Sequence, residues 1–259
     1  MRSAATVQSK APRTHSAAAV VSPFVHRVLD FGIEAMTPYL VTDFGGTEPG
    51  GDGLGVNALG MGSTLADRFA AARRPSGSEL SCIVSHVGQA LDALHAAEVL
   101  HRDLRSERIH LALSSFPVSD PELPVRQVAK LSFGISKLMN DTLELVRTMA
   151  RRSSGPPALP FYASPEQVLG DAPLGPASDL WSLAVIVFEC VTGELPFAGT
   201  SVADRLVQIC AGTARVPSDL CPVPRGFDDW FARGVRKSPS ERWSSAGEMA
   251  DALAVVLEH

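Results

Sequence analysis

The chain has 259 residues, 45% of them hydrophobic and 6% aromatic, with 23 basic and 28 acidic side chains for a formal net charge of −5. A chain of this size buries roughly 70–75% of its unfolded surface, which excludes a small disulfide-stapled scaffold and a wholly disordered chain. The acidic balance gives no electrostatic basis for wholesale nucleic-acid binding.

Residues 1–21 are small, polar and basic without a usable period, and are expected to form a disordered leader. The first 29 residues hold no acid and carry Arg2, Lys10, Arg13 and Arg27, a faint likeness to a transit peptide, while the apolar run Ala17–Val21 is too short for a signal segment. Val28–Gly32 and Tyr39–Phe44 are rich in strand formers and read as two strands, with Pro38 marking entry to the second. Residues 45–62 contain eight glycines. The stretch Gly51-Asp52-Gly53-Leu54-Gly55 lacks the G-x-G-x-x-G spacing of a phosphate loop and opens no helix, so a flexible insert is expected.

From Ser78 the period becomes helical. Leu80, Ile83, Val84, Val87, Ala90, Leu91 and Leu94 form one apolar stripe, which predicts an amphipathic helix over Ser78–Ala97. Residues 114–127 are rich in Pro and Ser and read as a loop, followed by a strand at Val128–Leu131. Ala177–Thr192 is apolar nearly all round, which predicts a buried central helix ended by Gly193. Three more helices are expected at Ser201–Ala211, Phe227–Arg236 and Ser245–Glu258, the last opened by a capping box of Ser245 and Glu248. No internal repeat is visible.

Cys82, Cys190, Cys210 and Cys221 form no C-x-x-C pair and sit in apolar stretches or beside Pro222. They are expected to be free thiols in a reducing, cytoplasmic setting. The histidine spacing builds no metal cage. The most apolar segment, Trp181–Val191, is far short of the ~20 residues of a membrane span.

Several blocks in order resemble a protein kinase domain of the bacterial Ser/Thr type. VLDFG at 28–32 and PYLVTDF at 38–44 resemble the last strands of the small lobe and the hinge. HAAEVLHRDLRSERIHL at 95–111 is similar to the end of the long helix and the catalytic loop. VAKLSFGISKLM at 128–139 and FYASPEQVLG at 161–170 resemble the two ends of the activation segment. ASDLWSLAVIVFECVTGELPFAG at 177–199 and KSPSERWSSAGEMADAL at 237–253 are similar to helices of the large lobe. The resemblance implies an α+β kinase-like fold. It divides the chain into a leader at 1–21 and one domain at 22–259. That domain would hold a small-lobe remnant and hinge (22–46), the Gly-rich insert (45–62) and a nearly complete helical large lobe (63–259).

The resemblance also assigns roles. Asp103 is the candidate general base that accepts or orients a substrate hydroxyl, with Arg105 beside it at the family's Lys position. Arg102 would receive a phosphate on the activation segment. Glu166 and Arg242 would form a buried ion pair, and Asp179 would accept hydrogen bonds from the catalytic-loop backbone. Thr42, Asp43 and Phe44 fall at the hinge, where backbone would meet an adenine edge.

The departures point the other way. Where the family holds its metals with an Asn and an Asp, this chain has Arg108 and Ser132, so no metal ligands are expected. Leu159 replaces the Thr of the peptide-docking loop. One lost carboxylate and one gained guanidinium shift the site by two positive charges, matching one Mg²⁺. Arg108 is therefore expected to occupy the vacated space and pair with Asp103. Upstream of Val28 there is no G-x-G-x-x-G, and Lys10 lacks the context of the family's strand Lys. The expected function is a catalytically impaired, N-terminally truncated kinase-like domain acting as a binding or scaffold module. It would use no cofactor and would engage a protein partner, another kinase or a substrate protein, with no nucleic acid or membrane. The alternative is an active Ser/Thr kinase using ATP and Mg on protein hydroxyls, its small lobe missing from this chain. A small-molecule phosphotransferase fits less well, because the S-P-E-Q and D-L-W-S-L blocks belong to the protein-kinase branch. The segment between Ser132 and Glu166 carries Thr142, Thr148, Ser153 and Ser154 near Arg147, Arg151 and Arg152, and reads as a solvated loop, with a phosphorylation site for another kinase as the alternative. A two-stranded remnant would be a marginal ribbon with an exposed edge and an uncovered apolar face.

Overall fold

A computed structural model describes residues 20–34, 37–42, 64–113, 127–132, 161–170 and 173–258. Residues 1–19 of the leader, the Gly-rich insert, most of the Pro-rich loop, Asp43, Phe44 and the segment 133–160 lie outside these residues, while Val20, expected in the leader, is buried against the core.

Strands β1 (Val28–Glu34) and β2 (Thr37–Thr42) pair antiparallel, with Phe31 opposite Leu40 and an irregularity between Val28 and Asp30. Both run beyond the sequence expectation at the turn between them. Among the described residues this ribbon pairs with no further strand, and Leu29 and Val41 are 51% and 44% exposed. The lead-in to the ribbon turns to the other sheet instead. Val25 bridges Leu131, and Leu131 N–H donates to Phe24 at 2.8 Å.

The body is helical. Helix α1 (Leu65–Ala70), which the sequence pattern did not suggest, is opened by a capping box of Thr64 and Asp67. Helix α2 (Gly77–Ala96) starts from Ser76 with a second box through Glu79. Its apolar stripe, Leu80, Ile83, Val84, Val87, Ala90, Leu91 and Leu94, is buried throughout. After a 3₁₀ turn at Ser106–Arg108 comes the hairpin of β3 (Ile109–Leu113) and β4 (Gln127–Leu131), in which Ile109 faces Leu131. Helix α3 (Pro165–Leu169) follows, with Pro165 in its first turn, where the missing N–H costs nothing.

Helix α4 (Pro176–Thr192) is the axis of the core. Leu180 to Phe188 are buried on every face, as expected of a helix that is apolar all round. It stops at Gly193, whose φ of 76° is the left-handed conformation that glycine adopts without a Cβ clash. Helices α5 (Val202–Ala211), α6 (Phe227–Gly234) and α7 (Ala246–Leu257) complete the body. Helix α6 ends two residues earlier than the sequence suggests. Gly234 packs so closely on α4 that a Cβ there would lie 2.7 Å from the Ala184 Cβ.

The start of α7 corrects a second expectation. Ser245 Oγ accepts from Glu248 N–H at 3.0 Å, but the Glu248 carboxylate turns to Ser244, accepting its N–H at 2.9 Å, and pairs with Arg233 at 3.0 Å. The remaining N-terminal amides of α7 are met from another helix. Asp92 of α2 accepts from Ala246 and Gly247 at 3.0 and 2.9 Å, so a carboxylate satisfies orphan donors and complements the helix dipole. All four cysteines are free thiols. Among the described residues no helix is long and apolar enough to cross a membrane, and no cluster of three or more His, Cys, Asp or Glu is placed to hold a metal ion.

Candidate functional site

The site is built on the chain between α2 and β3, over the N-terminal turn of α4. Helix α2 is closed by Val99 N–H donating to Leu94 at 2.9 Å, and the chain then dips so that His101 and Leu104 are buried. Asp179, buried in the first turn of α4, gathers this loop. Its carboxylate accepts from His101 N–H at 2.8 Å, from Arg102 N–H at 2.6 Å and from His95 Nε2 at 2.9 Å. Two consecutive amides converge on one carboxylate because Arg102 takes a φ of 55°. A left-handed residue with a Cβ costs roughly 1–2 kcal/mol. Charge-assisted hydrogen bonds of about 1.5–3 kcal/mol each outweigh that strain. The Arg102 carbonyl accepts from Gln167 Nε2 at 2.8 Å, which ties the loop to α3, and its side chain is exposed.

Asp103 lies at the mouth of this loop. Arg108 reaches back over the 3₁₀ turn and places Nε and Nη2 at 3.0 and 2.7 Å from the same carboxylate oxygen, Oδ2. Arg105 Nε stands 3.5 Å from Oδ1 and 3.9 Å from Glu107. Asp103 thus has one oxygen fully engaged and the other facing a second guanidinium.

Ser132, at the end of β4, is fixed from several sides. Its N–H and Oγ both donate to the Arg108 carbonyl, at 3.0 and 3.4 Å, and its own carbonyl is 3.1 Å from His101 Nε2. His110 Nε2 lies 2.9 Å from Ser132 Oγ. Burial, with His26 and Arg108 close by, pushes the His110 imidazole down to about 4, so near neutral pH it stays uncharged. His26 meets it edge-on at 5.0 Å between ring centres.

These residues do not fit a magnesium ion, which takes near-octahedral oxygen ligands, carboxylates above all. The one carboxylate is held by a guanidinium. The hydroxyl at 132 is turned to His110 and the Arg108 carbonyl, and position 108 supplies a cation.

A second cluster joins α3 to the chain before α7. Arg242 and Glu166 form a bidentate pair at 2.7 and 2.9 Å. Ser178 Oγ donates to Glu166 at 2.8 Å, and Arg242 also donates to the carbonyls of Arg236, Ala177 and Lys237. Burial alone would raise the Glu166 carboxyl. The hydrogen bonds from Arg242, its own backbone N–H and Ser178 prevail and hold it at about 2.

Between the clusters runs a chain that the sequence reading missed. Tyr162 donates to Glu189 of α4 at 2.6 Å, so its hydroxyl takes the hydrogen of Ser106, 3.0 Å away. Burial pushes the phenol up, helped by Glu189, and pushes Glu189 up to about 7. Ser106, His110 and Glu189 carry no local pattern that would reveal these links, since their partners lie 22 or more residues away.

Of the sequence candidates, the fold brings together Asp103, Arg105, Arg108 and Ser132, places Asp179 beneath Arg102, and joins Glu166 to Arg242. Thr42 is half-buried at the end of β2, paired with Val28. Asp43, Phe44 and Leu159 lie outside the described residues, as do the hydroxyls and arginines between 142 and 154.

The family model described as protein kinase domain matches residues 55–251. Serine/threonine-protein kinase PknD of Mycobacterium tuberculosis is 32% identical over 184 residues, 68% of this chain and 25% of the relative. Serine/threonine-protein kinase Pkn1 of Myxococcus xanthus is 31% identical over 253 residues, 95% of this chain and 32% of the relative. The chain therefore spans about a quarter to a third of these curated relatives. Among solved structures, the Mycobacterium tuberculosis PknI kinase domain superposes with a TM-score of 0.63 at 20% identity, covering 93% of this chain and 75% of that one. The Rad53 kinase domain gives 0.62 at 19% identity, covering 91% and 75%. At these identities the two structures establish the α+β fold.

Proposed function

The chain belongs to the protein kinase family, of the bacterial Ser/Thr type, and from that premise we propose that it is a catalytically impaired member that works by binding another protein. The observation that carries this reading is the Asp103–Arg108 pair, with both hydrogen bonds on one carboxylate oxygen. A general base must be within hydrogen-bond reach of the proton that it takes. Here the carboxylate already serves a guanidinium, and taking a proton would mean breaking a charge-assisted pair. The poor fit of Ser132 and Arg108 to magnesium supports the same conclusion. Phosphoryl transfer depends almost entirely on positioning and on electrostatic stabilisation by the metals, so no cofactor is assigned.

The retained framework supports a binding role. Asp179 still shapes the loop and Glu166–Arg242 still anchors the segment, so the large lobe presents a family-like surface without the means of catalysis. The ribbon's exposed Leu29 and Val41 offer apolar area to a protein partner. Four free thiols fit a reducing, cytoplasmic setting.

The second reading, an active kinase using ATP and magnesium on protein hydroxyls, draws on the retained Asp103 and on the relatives' names. A phosphoryl-transfer assay with γ-labelled ATP, magnesium and a generic protein substrate separates the two. The expected result is no incorporation above that of an Asp103→Asn variant. Incorporation that falls on this substitution overturns the proposal.

A further inference from the structure

We propose that Arg108 is a tethered cation that clamps the catalytic loop to the end of β4, the two elements on which the family places its base and its metal ligands. The inference rests on the reading that this site takes no metal, and adds what takes the metal's place. One residue reaches both sides. The Arg108 side chain holds Asp103 through Nε and Nη2, and its carbonyl receives the Ser132 N–H and hydroxyl. Its position makes this possible. As the last residue of the 3₁₀ turn it sits directly before β3, next to Ile109, which faces Leu131 across the hairpin. Its backbone is thereby set beside Ser132, while its side chain is free to fold back over the turn.

Arg105 does not share this role. Its Nε is 3.5 Å from Asp103 and 3.9 Å from Glu107, a charge between two acids rather than a fork on one. Ser132 faces His110 of β3 and the Arg108 carbonyl, and among the described residues Asp103 is the carboxylate paired with the Arg108 guanidinium. The charge balance agrees. Relative to the family pattern, Ser132 removes one negative charge and Arg108 adds one positive charge, which together equal one divalent cation. A fixed guanidinium supplies that charge without a binding equilibrium, so the clamp is expected to be independent of metal concentration.

The test is thermal unfolding of the full chain, in chelator and in millimolar magnesium or manganese. The wild-type midpoint is expected to be the same in all three. The double variant Arg108→Asn/Ser132→Asp exchanges the guanidinium for oxygen ligands. Its midpoint is expected to fall by about 3–8 °C in chelator and to recover, saturably, with either metal. Arg108→Lys keeps the charge but loses the fork, and is expected to fall part of the way with no metal response. An unchanged midpoint for the double variant, or a fall that neither metal reverses, overturns the role of Arg108. If the double variant is too unstable to purify, an unchanged midpoint for Arg108→Lys overturns it equally. A wild-type midpoint that rises with magnesium or manganese overturns the reading of the site itself. A metal-silent wild type with a metal-silent double variant leaves that reading standing and removes only the clamp.

Discussion

Two of the arginine–carboxylate pairs among the described residues are similar in length and differ in meaning. Arg242 and Glu166 are sealed, with side chains 0% and 7% exposed, and every nitrogen of the guanidinium has a partner. Arg108 and Asp103 are 24% and 31% exposed, and both bonds fall on one oxygen. The buried pair has exchanged its hydration for a complete set of protein partners, so it fixes the fold. The exposed pair keeps contact with water and is worth little as a stabiliser, and under the proposed function its consequence is chemical: it occupies the candidate base. Distance alone does not distinguish the two. Burial and the count of satisfied partners do.

The largest predicted effect breaks the buried pair. Arg242→Met leaves Glu166 as an uncompensated buried carboxylate, and about 3–5 kcal/mol of stability is expected to go, read as a fall in unfolding midpoint of roughly 6–20 °C. The pH dependence should change with it. Glu166 titrates near 2, below its ordinary 4.5. Its contribution is therefore present above about pH 4.5 and lost as pH falls toward 2. Acid unfolding curves of the wild type should carry this step, and those of Arg242→Met should lack it.

Next in size is Asp179→Asn, which turns an amide N–H toward the backbone donors that the carboxylate received. A loss of about 2–3 kcal/mol is expected, with faster hydrogen exchange at the amides of His101 and Arg102. Equal exchange rates would show that the loop is shaped without Asp179. Smaller again is Arg108→Asn alone, for which denaturant titration should find about 1 kcal/mol, because the pair is partly solvated. A loss as large as that of Arg242→Met would erase the distinction drawn above.

A separate, pH-dependent effect concerns Glu189 in the Ser106–Tyr162 chain. Its carboxyl is raised from 4.5 to about 7, mainly by burial. The folded protein binds this proton more tightly than the unfolded chain, so the contribution is full below pH 4.5 and fades as pH rises through 7. Glu189→Gln should flatten that window. His110 works in the opposite sense. Its pKa, lowered from 6.5 to about 4, makes stability fall as pH drops from 6.5 toward 4, and His110→Gln should remove that slope.

Much of the frame is legible in the amino-acid pattern. The α2 stripe is legible by its period and α4 by a composition apolar nearly all round, with Gly193 marking its stop. The small elements escape. Helix α1 has six residues opened by a capping box and α3 has five, both too short for a period. The start of α7 shows why local rules miss: Glu248 prefers Ser244, and the helix amides are taken by Asp92, 154 residues away in sequence. The site divides in the same way. Resemblance singles out Asp103, Asp179, Glu166 and Arg242, and the charge change at 108 and 132 is visible in the letters. The double hold of Arg108 on Asp103 and Ser132, and the seating of Ser132 against His110, depend on the β3–β4 register, which no single segment encodes.

The proposed function requires that this kinase fold use neither metal nor nucleotide. Isothermal titration of the full chain with ATP, in chelator and in excess magnesium, tests it most directly. No saturable heat is expected in either condition. Tight binding of ATP that appears only with magnesium would contradict it.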